Sequence, residues 1–226
     1  HAEGWFEEGT FNLSAPGTLS DLVRAIRSSS MTQLDLDDNT GSPIEIGAPF
    51  RPIRLDWWHD ESAGGKELKV WAGTMGSMRI ASAMRHALSD DRFESPALFN
   101  VGVIAYDPND PTKKVEPFYF DSRRGPNAHS RDVGFSHNDL EMTTTAFPAV
   151  EFLCLVGLQR GLPAKTERPR VFEYHTWGVA LPPTLLPAAV PGVLPRIGLS
   201  RYRFENWYRT GQKKHKAFRS ATPTFK

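Results

Sequence analysis

One segment constrains the fold more than any other. The run Pro148-Ala149-Val150-Glu151-Phe152-Leu153-Cys154-Leu155-Val156-Gly157-Leu158-Gln159 is apolar on nearly every side. Thr145 as a cap and proline in the first turn predict a helix from Pro148 to about Gln159. With Val150, Phe152, Leu153, Val156 and Leu158 spread around it, such a helix is stable only when enclosed. The chain must therefore build a core around this segment. Its 226 residues, 39% hydrophobic, suffice for one domain with a sizeable core, or for two small lobes at 1–162 and 170–226. A charged fraction of 23% and an aromatic fraction of 11% are those of a globular chain rather than a disordered one.

The apolar runs are too short for a transmembrane helix, which needs roughly 18 residues. The start at His1 shows neither a basic n-region nor an apolar h-region, so no secretory signal is read there; a preceding N-terminal segment is expected. The single cysteine, Cys154, cannot form an internal disulfide, which points to a reducing, cytoplasmic compartment. Inside the apolar run it reads as a small buried hydrophobe rather than a nucleophile.

Along the chain, Phe11-Asn12-Leu13 suggests a short strand. Ser20 to Arg27 suggests a helix capped by Ser20, with Leu19, Leu22, Val23 and Ile26 on one face. Strands are predicted at Ile44–Ile46, Ile53–Trp58, Asn100–Tyr106, Val115–Asp121 and Val171–Leu181, with Pro108 and Pro111 marking a turn. Ser62–Lys66 reads as a turn or loop, and Ser122–Glu141 as a loop without period. A helix is expected from about Thr74 to Leu88, where Met75, Met78, Ala81, Met84 and Leu88 fall at helical spacing and read as core. The proline-broken stretch Pro182–Pro195 fits a loop or short helix. Strands at Ser200–Arg209 and Lys213–Ala221 flank Thr210-Gly211-Gln212 as a hairpin. Together these predict an α+β fold: a mixed, largely antiparallel sheet, two or three packed helices and a basic C-terminal hairpin.

The net charge of +1 hides an asymmetry. From Val190 onward nine Lys/Arg face one acid, Glu205, a local net of +8, while the first 189 residues carry −7. A basic end of this kind suits a polyanion. In the hairpin Arg201, Arg203 and Glu205 alternate with Tyr202, Phe204 and Asn206, so one face can pack while the other presents cations. Arg201, Arg203, Arg209, Lys213, Lys214, Lys216 and Arg219 are candidate phosphate contacts, with Trp207 as a stacking surface. Arg123, Arg124 and Arg131 in the Gly- and Asn-containing loop form a second basic feature. The same basic face is also read as a solvated edge, or as the docking side of a protein–protein adaptor.

Enzyme signals are sparse. His59-Asp60 is a His-Asp dipeptide of the kind metal-dependent phosphohydrolases use, but metal chemistry needs further ligands, and His86, His129 and His137 stand at no recognised spacing. A metal-dependent nuclease using His59 and Asp60 is the alternative; turn capping is the plainer reading. Asp35 to Gly41 is discarded as a calcium loop, because Gly41 is one position late and Ile46 stands where the bidentate acid belongs. No phosphate-cradling glycine motif, nucleophile elbow or paired-cysteine zinc pattern is found. No catalytic residue, metal or cofactor is expected.

Several segments, in order along most of the chain, carry a family resemblance: Ala2–Phe6, Leu55-Asp56-Trp57-Trp58, Leu68-Lys69-Val70-Trp71-Ala72-Gly73, Phe118–Gly125, Asp132–Ser136 and Pro148–Gln159. Together they resemble a large-subunit-like protein of CRISPR type I-G (formerly I-U) interference complexes. That resemblance implies a non-catalytic subunit of an antiviral ribonucleoprotein. Its partners would be a guide RNA, target double-stranded DNA, other effector subunits and a recruited helicase-nuclease. It would help read the motif flanking the target or steady a strand, while pairing with the guide supplies the remaining specificity. Lys69, Trp71, Arg123 and Arg124 stand where that pattern has basic and aromatic residues, and nearby Lys66 joins the candidate contacts. Val70 and the residues after Gly73 depart from the pattern.

Overall fold

The computed structural model describes residues 2–71, 75–89, 91–123, 145–194, 196–208 and 216–224. The apolar segment forms a helix, Pro148–Gly157 (α4 in chain order), which packs against the helix Ser77–Ala87 (α3). The elements before it are strands β1 (Glu3–Glu7) and β2 (Thr10–Ser14), helix α1 (Leu19–Ser28), strands β3 (Met31–Gln33), β4 (Ile44–Ile46) and β5 (Ile53–Leu55), helices α2 (Gly65–Leu68) and α3 (Ser77–Ala87), strands β6 (Tyr106–Asp107) and β7 (Asp110–Lys114), and α4 itself (Pro148–Gly157). After it come β8 (Ala164–Lys165), β9 (Val171–Trp177), α5 (Leu186–Ala189), β10 (Gly198–Tyr208), β11 (Lys216–Phe218) and β12 (Thr222–Thr224). All described strand pairs are antiparallel, and the fold is α+β. The strands form four small sheets. In the largest, β11 and β12 lie along one edge of β10, with β9 and β8 on the other.

The core forms between α3 and α4, but on a narrower face than the pattern suggested: Ala81, Met84, Leu88 and Phe152 are buried as expected, whereas Val150, Leu153, Val156, Leu158, Met75 and Met78 are only partly buried. Ile80, Ala81, Ala83 and Met84 on α3 and Ala149, Phe152 and Leu155 on α4 are buried. Trp57, Trp58, Trp71, Phe118 and Phe120 join them in one cluster, with edge-on ring contacts such as Trp57–Trp71 at 5.9 Å and 90°, a favoured aromatic geometry. Each indole N–H is satisfied by a carbonyl: Trp57 donates to Leu155, Trp58 to Gly41 and Trp71 to Thr40. A smaller cluster of Trp177, Leu181 and Ala189 lies under the β1–β2 hairpin, where Trp177 Nε1 donates to Gly4 O at 2.7 Å.

Caps and turns differ from expectation at four places. The cap of α1 is Thr18, not Ser20: Thr18 Oγ1 accepts from Asp21 N at 3.1 Å and Thr18 N donates back to Asp21 Oδ2 at 2.8 Å, a capping box. Trp57–His59 is a 3-10 turn rather than the end of a strand, which lets both indoles turn inward. Helix α2 follows where a loop was expected; Gly65 has no room for a Cβ, which would lie 1.9 Å from Trp57 O. The N-cap of α4 is Phe147, without a side-chain bond, so Thr145 does not cap it.

The segments Asn100–Tyr106 and Val115–Asp121 are not strands. The first follows a 3-10 turn, Pro96–Asn100, and pairs only through a lone bridge from Val103 to Ala146 before Tyr106 opens β6. The β6–β7 hairpin forms across the expected turn instead. The second is broken by Tyr119, whose φ is +73°; Val115 N still donates to Ala105 O at 2.9 Å, but the N–H groups of Phe120 and Asp121 donate to the Glu151 carboxylate at 3.2 and 3.1 Å. No helix among the described residues is long and apolar enough to cross a membrane.

Candidate nucleic-acid interface

Strand β10 organises the basic end. Asn206 is fully buried and its amide donates to the carbonyls of Glu67 and Leu68 at 2.8 and 2.9 Å, pinning the strand to the end of α2. Phe204 packs against the core and Tyr202 stacks on Tyr174 at 5.3 Å. Strand alternation then turns Arg201, Arg203, Glu205 and Trp207 to the other face. The hairpin strand β11 pairs back through Tyr208–Lys216, Trp207–Ala217 and Asn206–Phe218.

On that outer face the cations are held by short-range partners. Arg203 donates to Glu173 from both Nε and Nη2. Arg201 donates to Thr224 Oγ1 at 2.7 Å and lies 3.7 Å from the same Glu173. Arg219 pairs with Glu205 at 3.7 Å and lies over the Trp207 ring at 4.6 Å. Trp207 is 42% exposed, so a ring face remains within reach of solvent. Arg209, Lys213 and Lys214, which fall between β10 and β11 in the sequence, lie outside the described residues, as do Arg124 and Arg131.

Three candidates sit inward. Trp71 is 2% exposed; enclosed by Trp57, Trp58 and Phe118, it has no face to offer a base. Lys69 lies over the Trp71 ring at 5.0 Å, with Nζ 3.3 Å from Thr40 O; burial lowers its pKa despite nearby Asp38. Lys216 donates to the carbonyls of Lys66 and Glu67. Burial, helped by the Arg170 charge, pulls its pKa down to about 8. These three belong to the junction of α2 with the sheet rather than to a surface. Lys66 is exposed but paired with Glu61 at 2.8 Å.

Arg123 is engaged on all sides. It grips Asp121 from Nε and Nη2, donates to Asn100 Oδ1 and Phe99 O at 3.1 and 2.7 Å, and covers the Phe147 ring at 3.9 Å. The Asp121 contact raises its pKa. Its role in the structure is to tie the 115–121 segment to the start of α4.

At the alternative site the Asp60 carboxylate accepts from Ser62 Oγ at 2.6 Å and Ala63 N at 3.0 Å, a turn-closing pattern. His59 Nε2 lies 2.6 Å from Gly41 O. Among the described residues no group of three His, Cys, Asp or Glu side chains is placed to hold a metal. Burial pushes the Cys154 thiol up to about 12, leaving almost no thiolate at neutral pH.

Two features escaped the sequence reading. Glu151 is a fully buried carboxylate whose pKa burial raises to about 7, against the backbone N–H groups of Asp121, Phe120 and Tyr119 that favour its charge. Its only signal was an acid inside an all-apolar helix. The second is a cavity of about 480 Å³ lined by Arg24, Arg27, Ser28, Arg85, His86 and Ser89. The bases in the last turns of α1 and α3 were visible in the sequence, but nothing there brought the two helix ends together.

Comparison of the chain with protein-family models, with curated proteins and with solved structures finds no match.

Proposed function

We propose that this chain is a non-catalytic, nucleic-acid-binding subunit of a type I CRISPR effector complex. In this reading it contacts guide RNA or target DNA through the outer face of β10 and the basic sequence that follows it. One observation carries the placement: Arg201, Arg203 and Trp207 share one face of a strand, and Arg219, just after the paired strand β11, covers the Trp207 ring. Arginine forks suit phosphate oxygens, and an exposed indole gives an unpaired base a stacking surface. The present ion pairs to Glu173 and Glu205 are no obstacle. Solvent-facing pairs are worth roughly 1 kcal/mol or less, so a phosphate can take over donors that the carboxylates already hold in place. Arg209, Lys213 and Lys214 add charge to the sequence between β10 and β11. The segment resemblance to type I-G large-subunit-like proteins supplies the assembly: guide RNA, target duplex, neighbouring subunits and a recruited helicase-nuclease.

Co-expression of the tagged chain with neighbouring effector subunits, followed by recovery of a discrete guide-sized RNA, tests the assembly. The placement is tested by the salt dependence of RNA binding. Changing Arg201 and Arg203 to Gln should flatten the logarithmic salt slope by roughly one unit per lost contact. An RNA-free monomer argues against the assembly, and an unchanged slope removes the β10 face from the interface.

A further inference from the structure

Helices α1 and α3 both end on bases: Arg27 in the last turn of α1, Arg85 and His86 in the last turn of α3. A single cation at each end would be enough to complement the terminal carbonyls. Here Arg85 alone crosses to the end of α1, where Nη1 donates to Ser29 O and, at 3.3 Å, to Arg27 O. Three more basic groups then converge on the same cavity of about 480 Å³: Arg24, Arg27 and His86, beside the hydroxyl residues Ser28 and Ser89.

The wall contains no carboxylate among its described lining residues. The acids nearby pair from outside it. Asp21, one turn back on α1, holds Arg24 at 2.6 Å, and Glu94 stands 3.8 Å from Arg27, a long contact. Arg85 has its Nε buried with no partner. A buried guanidinium N–H without an acceptor is costly, and native structures usually give such a group a partner. Three guanidinium groups and an imidazole around a solvent-open hollow suit a compact, multiply charged oxyanion, which arginine forks bind in bidentate fashion.

We infer that the cavity between the ends of α1 and α3 is a phosphate site: Arg27 and Arg85 grip the oxyanion, Arg24 and His86 close over it, and the serine hydroxyls complete its shell. Resting on the nucleic-acid reading above, the phosphate it takes is one of the bound strand's backbone, which gives the chain a second contact point separate from the β10 face.

The test uses the full chain and inorganic pyrophosphate as probe. The His86 imidazole resonance, assigned by its loss in His86→Gln, is followed during titration at neutral pH. The expected result is a saturable shift. The Arg24→Gln/Arg27→Gln double variant should weaken it at least tenfold while keeping the wild-type melting temperature. Arg54→Gln, at a solvent-facing pair elsewhere, should leave it unchanged. An absent shift, or one that saturates equally in the double variant, overturns the site whatever becomes of the nucleic-acid reading. Single-stranded RNA then identifies the source of the phosphate. RNA should displace pyrophosphate at His86 and lose roughly two units of salt slope in the double variant. RNA that binds with an unchanged slope and leaves His86 unmoved overturns the backbone assignment while the β10 reading stands. Saturation by pyrophosphate with no RNA binding at all overturns the nucleic-acid reading and assigns the pocket to a free oligophosphate.

Discussion

The junction between α2 and the sheet and the outer face of β10 hold the same residue types, a tryptophan beside a cation in each, and use them in opposite ways. At the junction Trp71 is 2% exposed and its indole N–H is bound to Thr40 O; Lys69 and Lys216 bend onto backbone carbonyls. On the outer face Trp207 is 42% exposed, and its neighbours Arg203 and Arg219 meet carboxylates at the surface. The difference is one of position relative to the core rather than of chemistry. A cation that finds carbonyls inside the fold serves the fold. One that meets a lone carboxylate at the surface stays exchangeable, because the pair contributes little net free energy there. Basic and aromatic content alone therefore overstates a binding surface by counting residues the core has already taken.

The largest expected effect follows directly. Trp71→Ala should cost roughly 3–5 kcal/mol of unfolding free energy, the usual range for emptying a large aromatic site in a packed core, and should also release the Thr40 carbonyl. Trp207→Ala should cost about 1 kcal/mol or less, mainly the lost contact with Arg219, while weakening RNA binding. Urea denaturation of both variants reads the pair. Comparable losses in the two would erase the distinction between inner and outer tryptophans.

The inner side can be sharpened through pH. Glu151 accepts backbone N–H bonds from Phe120 and Asp121; the titratable groups beside it are Asp121 from the 115–121 segment, itself gripped by Arg123, and the Cys154 thiol on its own helix, which stays neutral across this range. Burial raises its pKa from 4.5 to about 7. A carboxyl that holds its proton more tightly when folded contributes stability that is full below about pH 4.5 and is lost as pH rises through about 7. Glu151→Gln stays neutral throughout. The difference in unfolding free energy between variant and wild type should therefore move in favour of the variant by on the order of 3 kcal/mol across that window. A difference that stays flat with pH would mean that Glu151 titrates normally in the fold.

The same contrast explains what the sequence disclosed. Helices α3 and α4 and strands β4 and β9 were legible because their signals are local: a methionine stripe at helical spacing, proline ahead of an apolar run, and alternation in Ile44-Glu45-Ile46. Val115–Asp121 reads as a strand but is not one, because the N–H groups at its end, Phe120 and Asp121, find the side chain of Glu151, about 30 residues away, which no periodicity announces. Thr18 was missed as a cap although its partner Asp21 stood at the spacing of a capping box. In the candidate interface, alternation correctly separated Tyr202, Phe204 and Asn206 from Arg201 and Arg203, since a long strand repeats its period enough to be read. Lys69, Trp71 and Lys216 sit in short pieces at a junction, where the facing element decides their fate. The phosphate pocket needed two helix ends, separated by some 60 positions, to be seen side by side.

The smallest expected effect on stability is also the one that most directly probes the outer face. Glu173 lies between Arg201 and Arg203 and accepts from both Nε and Nη2 of the latter. With Arg203 44% exposed and Glu173 less so, the pair should contribute under about 1 kcal/mol. Either Arg203→Gln or Glu173→Gln should then shift the urea midpoint only slightly. Their effects on RNA should be opposite in sign. Arg203→Gln removes a phosphate donor and weakens binding. Glu173→Gln removes the carboxylate that competes with phosphate for two guanidinium groups, so it should tighten binding and steepen the salt dependence. Fluorescence titration with a short single-stranded RNA at two salt concentrations distinguishes them. If Glu173→Gln weakens binding as Arg203→Gln does, the carboxylate is needed to orient the forks rather than to hold them in reserve, and the exchange of carboxylate for phosphate does not occur on this face.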